Sequence, residues 1–104
     1  MTPTAAVALP SEVVTFWFSA SVRPLWFAAT AEFDQALRMR FLATYRAAAA
    51  GELADWEITP EGALALVIVL DQFPLNMFRG RPEGFATEAA ARGVAERAIA
   101  RGLD

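Results

Sequence analysis

The stretch TPEGALALVIVLDQFPLNMFRG, residues 59–80, decides how this chain folds. Its middle, Ala63 to Leu70, is an uninterrupted apolar run. Two structures could house such a run: a helix enclosed on every side, or a strand buried on both faces of a parallel sheet. The flanks discriminate between them. Thr59-Pro60-Glu61 is a helix start, because the threonine hydroxyl can accept a free first-turn N–H, proline needs no N–H at the first position, and glutamate suits the positive dipole end. No other segment offers a partner strand. A central, enclosed helix over 60–73 is therefore expected. Pro74 lacks an N–H and crowds the preceding turn, so this helix should end or bend at Gln72–Phe73.

Outward from this centre the chain reads as further helices. Residues 30–50 carry the clearest 3.6-residue period: Phe33, Leu37, Phe41, Tyr45 and Ala48 recur at three- and four-residue spacing, with Glu32, Gln35, Arg38 and Arg46 largely elsewhere. Thr30 opens this helix and Gly51 is placed to terminate it. Residues 11–19 form another helix, with Ser11 as the expected cap and Val13, Phe16 and Trp17 on one face. Its β-branched and aromatic run would also suit a pleat by propensity, but a lone strand has nothing to pair with. A last helix is expected over 83–101, beyond the Gly-Arg-Pro breaker at 80–82, rich in small residues and stopped by Gly102. Residues 1–10 read as a flexible arm and 11–104 as one domain. The fold class is all-α, a compact array of four to five helices. Trp56, in the connection before Thr59, is expected to lid one end.

Composition narrows the chemistry by what is missing. The chain is 104 residues long and 56% hydrophobic, above the usual ~45–50%. This excess points to enclosed helices or to a face awaiting more protein. Nine cations, all arginine, stand against twelve carboxylates for a net charge of -3, which offers no basic field to nucleic acid. Histidine, cysteine and lysine are all absent. Their absence excludes a serine–histidine–aspartate relay, a cysteine–histidine pair and a lysine Schiff base within this chain. Without cysteine there is no disulfide framework or thiolate metal site, which is compatible with the cytoplasmic location expected here. The apolar run from Ala63 to Leu70 is far short of the ~20 residues that cross a bilayer, so no membrane association is expected.

In order along the chain, Phe16-Trp17-Phe18, Trp26-Phe27, Phe33-Asp34, Gly51, Leu53, Trp56 and Thr59-Pro60-Glu61-Gly62 form a recognisable series. It is sharpest at Leu70-Asp71-Gln72-Phe73-Pro74, Asn76 and Phe78-Arg79-Gly80, and continues through Phe85-Ala86 to Gly102-Leu103-Asp104. The series resembles the bacterial family called domain of unknown function 924. The resemblance implies an all-helical, tetratricopeptide-like fold, although no internal repeat is visible in this sequence. It also implies longer relatives, and it places an arginine where this chain has Leu75 and an aspartate where it has Glu88. It brings no settled activity.

Candidate site residues cluster after the apolar run. Asp71 would be costly to bury unpaired, and Arg79 is its expected partner, with Arg38 or Arg40 as alternatives. Gln72 and Asn76 carry both donors and acceptors, suited to backbone groups released near Pro74. Asp71, Gln72, Asn76 and Arg79 therefore form either a structural polar network or a ligand site. Trp17, Trp26, Trp56, Phe73 and Phe78 are the aromatic candidates, for core packing or for a peptide groove. No catalytic constellation, metal site or cofactor motif is expected. The leading functional reading is an interaction or scaffold module working through an apolar helical face, with a homodimer, a missing C-terminal part or a helical peptide as the expected contact. The alternative is an enzyme or small-ligand binder at Asp71, Asn76 and Arg79.

Overall fold

Two threonines start the two helices that organise the molecule. The Thr30 hydroxyl accepts from the Phe33 amide at 3.1 Å and opens α2, Ala31–Ala49. The Thr59 hydroxyl accepts from the Gly62 amide at 3.0 Å and opens α3, Pro60–Val67. Each cap satisfies a first-turn donor that has no partner within its own helix. These elements belong to a computed structural model that describes residues 6–102. α1, Pro10–Trp17, precedes them; α4, Phe73–Met77, and α5, Glu88–Ala100, follow. Short 3-10 turns at Arg23–Trp26, Ala54–Ile58 and Pro82–Phe85 link the helices, and no strand occurs among the described residues. The fold is all-α.

Glycine closes α2. Gly51 takes φ +78°, and the Glu52 and Gly51 amides donate back to the carbonyls of Ala47 and Ala48. This is the left-handed C-terminal hook that residues with a Cβ adopt only under strain. Gly62 serves another purpose. A Cβ there would lie 1.9 Å from the carbonyl oxygen of Trp56, so the turn Ala54–Ile58 can rest on α3 only because position 62 has no side chain. Trp56 itself is half-buried against the core.

The centre of the molecule is a helical rod from Pro60 to Met77. Its α3 part packs against α1 and α5, and its α4 part packs against α2. Val69 and Phe73 are fully buried, and Ala65, Leu66, Ile68 and Leu70 nearly so. Leu64 and Leu75 are the large apolar exceptions, 42% and 39% exposed. The Phe73 ring lies 4.8 Å from Phe41 of α2 and 5.6 Å from Trp17 of α1, with Phe16 completing the cluster 5.0 Å from Phe41. Each fully buried apolar side chain of this kind contributes about 1.5–3 kcal/mol, so this junction dominates the core.

The rod does not stop where Pro74 suggested. Between α3 and α4 the helix widens into a π-turn, Ile68–Gln72, in which the Phe73 amide donates to the Ile68 carbonyl. The chain then continues in helical geometry through Pro74 to Met77. Proline carries no N–H for the carbonyl four residues earlier, and its ring would clash with that carbonyl in a regular turn. The wide turn relieves the clash. The Thr87 hydroxyl supplies the missing donor, reaching the buried Leu70 carbonyl at 2.6 Å.

The same threonine corrects the expected start of the last helix. α5 begins at Glu88 and not at 83, because Pro82–Phe85 coils as a 3-10 turn against α4 and the Thr87 hydroxyl is committed to the rod, leaving α5 without a side-chain cap. At the other end, Ser11 does not cap α1. Leu9 holds that position, its amide donating to Glu12 Oε1 at 3.1 Å, while Pro10 with its fixed φ occupies the first turn. Residues 1–5 of the expected arm lie outside the described residues, but Ala8 is tied down, its amide donating to the buried Thr44 hydroxyl at 2.8 Å.

Replacing Thr87 with valine keeps the shape and strands the Leu70 carbonyl in the core. The expected cost is about 1–3 kcal/mol in a denaturant titration. In a Pro74→Ala background the cost should shrink, because residue 74 then has an N–H of its own to offer; equal costs in both backgrounds would refute the link between proline and threonine.

Candidate functional site

The polar groups after the apolar run converge on α2. Asp34 and Arg38 are four residues apart on that helix and so share a face. Asn76 sits on α4, and Arg79 lies in the turn just beyond it. The Arg79 guanidinium takes Asp34 as a fork, Nε to Oδ2 at 2.7 Å and Nη2 to Oδ1 at 3.2 Å. Asn76, itself 9% exposed, donates Nδ2 to Asp34 Oδ1 at 2.8 Å. Arg38 donates Nη1 to the Met77 carbonyl at 3.1 Å and stands 5.2 Å over the Phe78 ring. Tyr45 of α2 fixes that ring edge-on at 5.5 Å. Thus α2 and the end of the rod are clamped together by one carboxylate and two arginines.

Burial is the largest single influence on Asp34 and pushes its carboxyl up. The hydrogen bonds from Arg79 and Asn76, with the Arg79 charge, together outweigh it and hold Asp34 below its ordinary value of 3.8. The pair raises the Arg79 guanidinium correspondingly. A carboxylate held this way stays charged and spends its acceptors on fixed donors, which makes it a clamp and a poor general acid or base. A second clamp of this kind holds α5. Arg97 grips Glu57 as a fork at 2.9 and 3.0 Å, Arg101 donates to the Glu57 carbonyl at 3.1 Å, and the Arg97 hydrogen bonds lower the Glu57 carboxyl below 4.5.

Beside the Asp34 clamp lies a cleft of about 240 Å³, lined by Ala31, Asp34, Gln35, Arg38 and the segment Asn76–Arg79, with Arg81 at its edge. Asn76 and Arg79 belong to this site. Asp71 does not. It is half-buried on the π-turn, and its carboxylate accepts from the neighbouring Gln72 amide instead of from Arg79. The reason is geometric. The rod continues past Pro74, so Arg79 arrives almost two turns further along and meets α2, where Asp34 is waiting. Arg38 likewise serves Met77, and Arg40 lies over the Phe16 and Phe41 rings at 5.1 and 4.8 Å. Leu75 is exposed and does not line the cleft.

The aromatic candidates divide. Trp17 and Phe73 are core, and Trp26 stacks on Trp17 at 5.5 Å while its Nε1 donates to the Trp17 carbonyl at 3.0 Å. Trp56 is half-buried, and Phe78 alone of the five lines the cleft. Asp34 is the member that the 70–80 segment could not announce, and Arg38 was expected there only as an alternative partner for Asp71. Their spacing of four on one helix, with opposite charge, was the available signal. No group of three side chains suited to a metal ion occurs among the described residues, and no described helix is long and apolar enough to cross a membrane.

A depressed folded-state pKa means stabilisation that is present above the ordinary value and lost as pH falls through the folded value. Asp34 and Glu57 both act in this sense, so the domain should weaken as pH drops below 4.5 and then 3.8. Asp34→Asn should lower stability at neutral pH and flatten the acid limb of a stability-against-pH curve. An acid limb identical to that of the parent would refute the clamp.

Comparison with known proteins adds a family and a fold. No curated protein matches the chain. A solved structure of a protein of unknown function from Agrobacterium tumefaciens is 40% identical and superposes with a TM-score of 0.84, covering 90% of this chain and 53% of that one. The chain thus spans about half the length of that relative. The family model described as "Bacterial protein of unknown function (DUF924)" matches residues 13–104, and the chain belongs to that family.

Proposed function

We propose that this domain is a helical interaction or scaffold module that pairs with a second copy of itself through the open face between α3 and α5. The observation that carries the reading is an apolar groove of about 280 Å³ on that face, lined by Pro60, Ala63, Leu64, Val67, Ala95, Ala98 and Ile99. Leu64 and Ile99 stand 42% and 62% exposed there, and Ile58 nearby is 64% exposed. Apolar side chains gathered on one face favour burial against another protein surface, and small residues such as Ala95 and Ala98 let a helix approach closely. Helices stacked pairwise around a groove are the packing of tetratricopeptide-like arrays, and we assign this domain to that style of packing. Cytoplasmic residence accords with the cysteine-free sequence.

The alternative, an enzyme or small-ligand binder built on Asp71, Asn76 and Arg79, loses Asp71 from its centre and gains Asp34. Asp34 is tied down by Arg79 and Asn76, which favours binding over turnover at that corner.

Light scattering over a concentration series tests the pairing. The mass should climb above 11.3 kDa as concentration rises, and Leu64→Glu with Ile99→Glu should return it to 11.3 kDa. A parent chain that stays at 11.3 kDa throughout would contradict pairing through this face.

A further inference from the structure

The cleft beside Asp34 holds an imbalance of charge. Arg38, Arg79 and Arg81 line it against the single carboxylate of Asp34, leaving two positive charges uncancelled on a protein whose net charge is -3. Two of the three guanidiniums are held in place by partners that use only part of their donor set. Arg79 gives Nε and Nη2 to Asp34, and Arg38 gives Nη1 to the Met77 carbonyl while its plane lies over Phe78. A guanidinium carries five N–H donors, so both retain several beyond those bonds. Arg81 makes no side-chain hydrogen bond or ion pair among the described residues; only its backbone is engaged, the amide donating to the Phe78 carbonyl at 2.9 Å and the carbonyl accepting from the Gly84 amide at 3.1 Å.

We propose that this cleft binds a doubly charged tetrahedral oxyanion of the phosphate class, held by Arg38, Arg79 and Arg81. Fixed guanidiniums match phosphate oxygens in fork geometry, and an arginine already oriented loses little freedom on binding. At about 240 Å³ the space falls below the range of ~300–1,000 Å³ typical of drug-sized ligands, and suits one compact head group instead. Asn76, Gln35 and the Phe78 ring complete the lining, so a short organic substituent on the phosphate would meet Phe78 and Ala31. The proposal is independent of the α3/α5 face, which shares none of these residues.

Free phosphate and a phosphomonoester present the same chemistry, and calorimetric titration of both into the full chain at constant ionic strength separates them. Inorganic phosphate and phenyl phosphate are the probes, with sodium chloride as the control for simple screening. Saturable one-to-one binding is expected, weakened about tenfold or more by Arg81→Gln and unchanged by Arg92→Gln, whose side chain pairs with Glu88 at 3.9 Å and lies outside the cleft. Equal affinity for both probes assigns the site to the free ion; tighter binding of phenyl phosphate assigns it to an ester. Arg81 bears no structural bond through its side chain among the described residues, so its variant should keep the parent melting temperature, and a loss of binding at that melting temperature is not unfolding. No saturable heat with either probe, or an undiminished affinity in Arg81→Gln, would overturn the proposal.

Discussion

Residue 74 is a proline inside the central helix, and much of the molecule is arranged around the N–H it lacks. The ring cannot fit a regular α-turn, so the rod widens at Ile68–Gln72 and the Leu70 carbonyl is left for another donor. Thr87 is that donor, at 2.6 Å in a buried setting. In meeting this need, the threonine gives up its hydroxyl as a cap and fixes where α5 can begin. A backbone constraint at Pro74 is thereby converted into the placement of a helix that begins at Glu88.

The continuation of the rod is also what assembles the polar cleft. Had the helix ended at Phe73, Asn76 and Arg79 would have hung in a loop, and the Asp71–Arg79 pair expected from their closeness in sequence would have been a reasonable partner choice. Because the helix persists to Met77, Asn76 stays on its buried side and Arg79 emerges opposite α2. The side chains that meet are Asp34, Asn76 and Arg79, forty-odd residues apart along the chain. The phosphate-class ligand proposed for the cleft depends on this junction, whereas the proposed pairing face is built from α3 and α5.

Particular residues show what sequence could and could not reveal. The period of Leu37, Phe41, Tyr45 and Ala48, the helix start at Thr30 and the cap at Thr59 are local signals, and each appears in the structure as read. The enclosure of Ala65, Leu66 and Ile68 to Leu70 was legible too, since no polar stripe interrupts the run, but Leu64 and Val67, expected to be wrapped as well, line an open groove. The π-turn was not legible, because whether a proline ends a helix or is accommodated depends on a donor supplied from elsewhere, here Thr87. Asp34 was hidden for a similar reason. Nothing local to Asp34 marks it as the partner of Arg79; only the direction of α4 makes that so. The role of Gly62 was equally remote, as the carbonyl that forbids a side chain there belongs to Trp56.

Amide hydrogen exchange along the rod tests the central claim most directly. If the helix runs through Pro74, the Met77 and Phe78 amides exchange slowly, the latter because it donates to the Pro74 carbonyl at 2.9 Å, and Phe73 is protected through its bond to Ile68. If protection instead ends at Gln72 and the amides of residues 75–78 exchange as freely as an open loop, the rod stops at the proline, and the placement of Thr87, Asn76 and Arg79 derived from it is wrong.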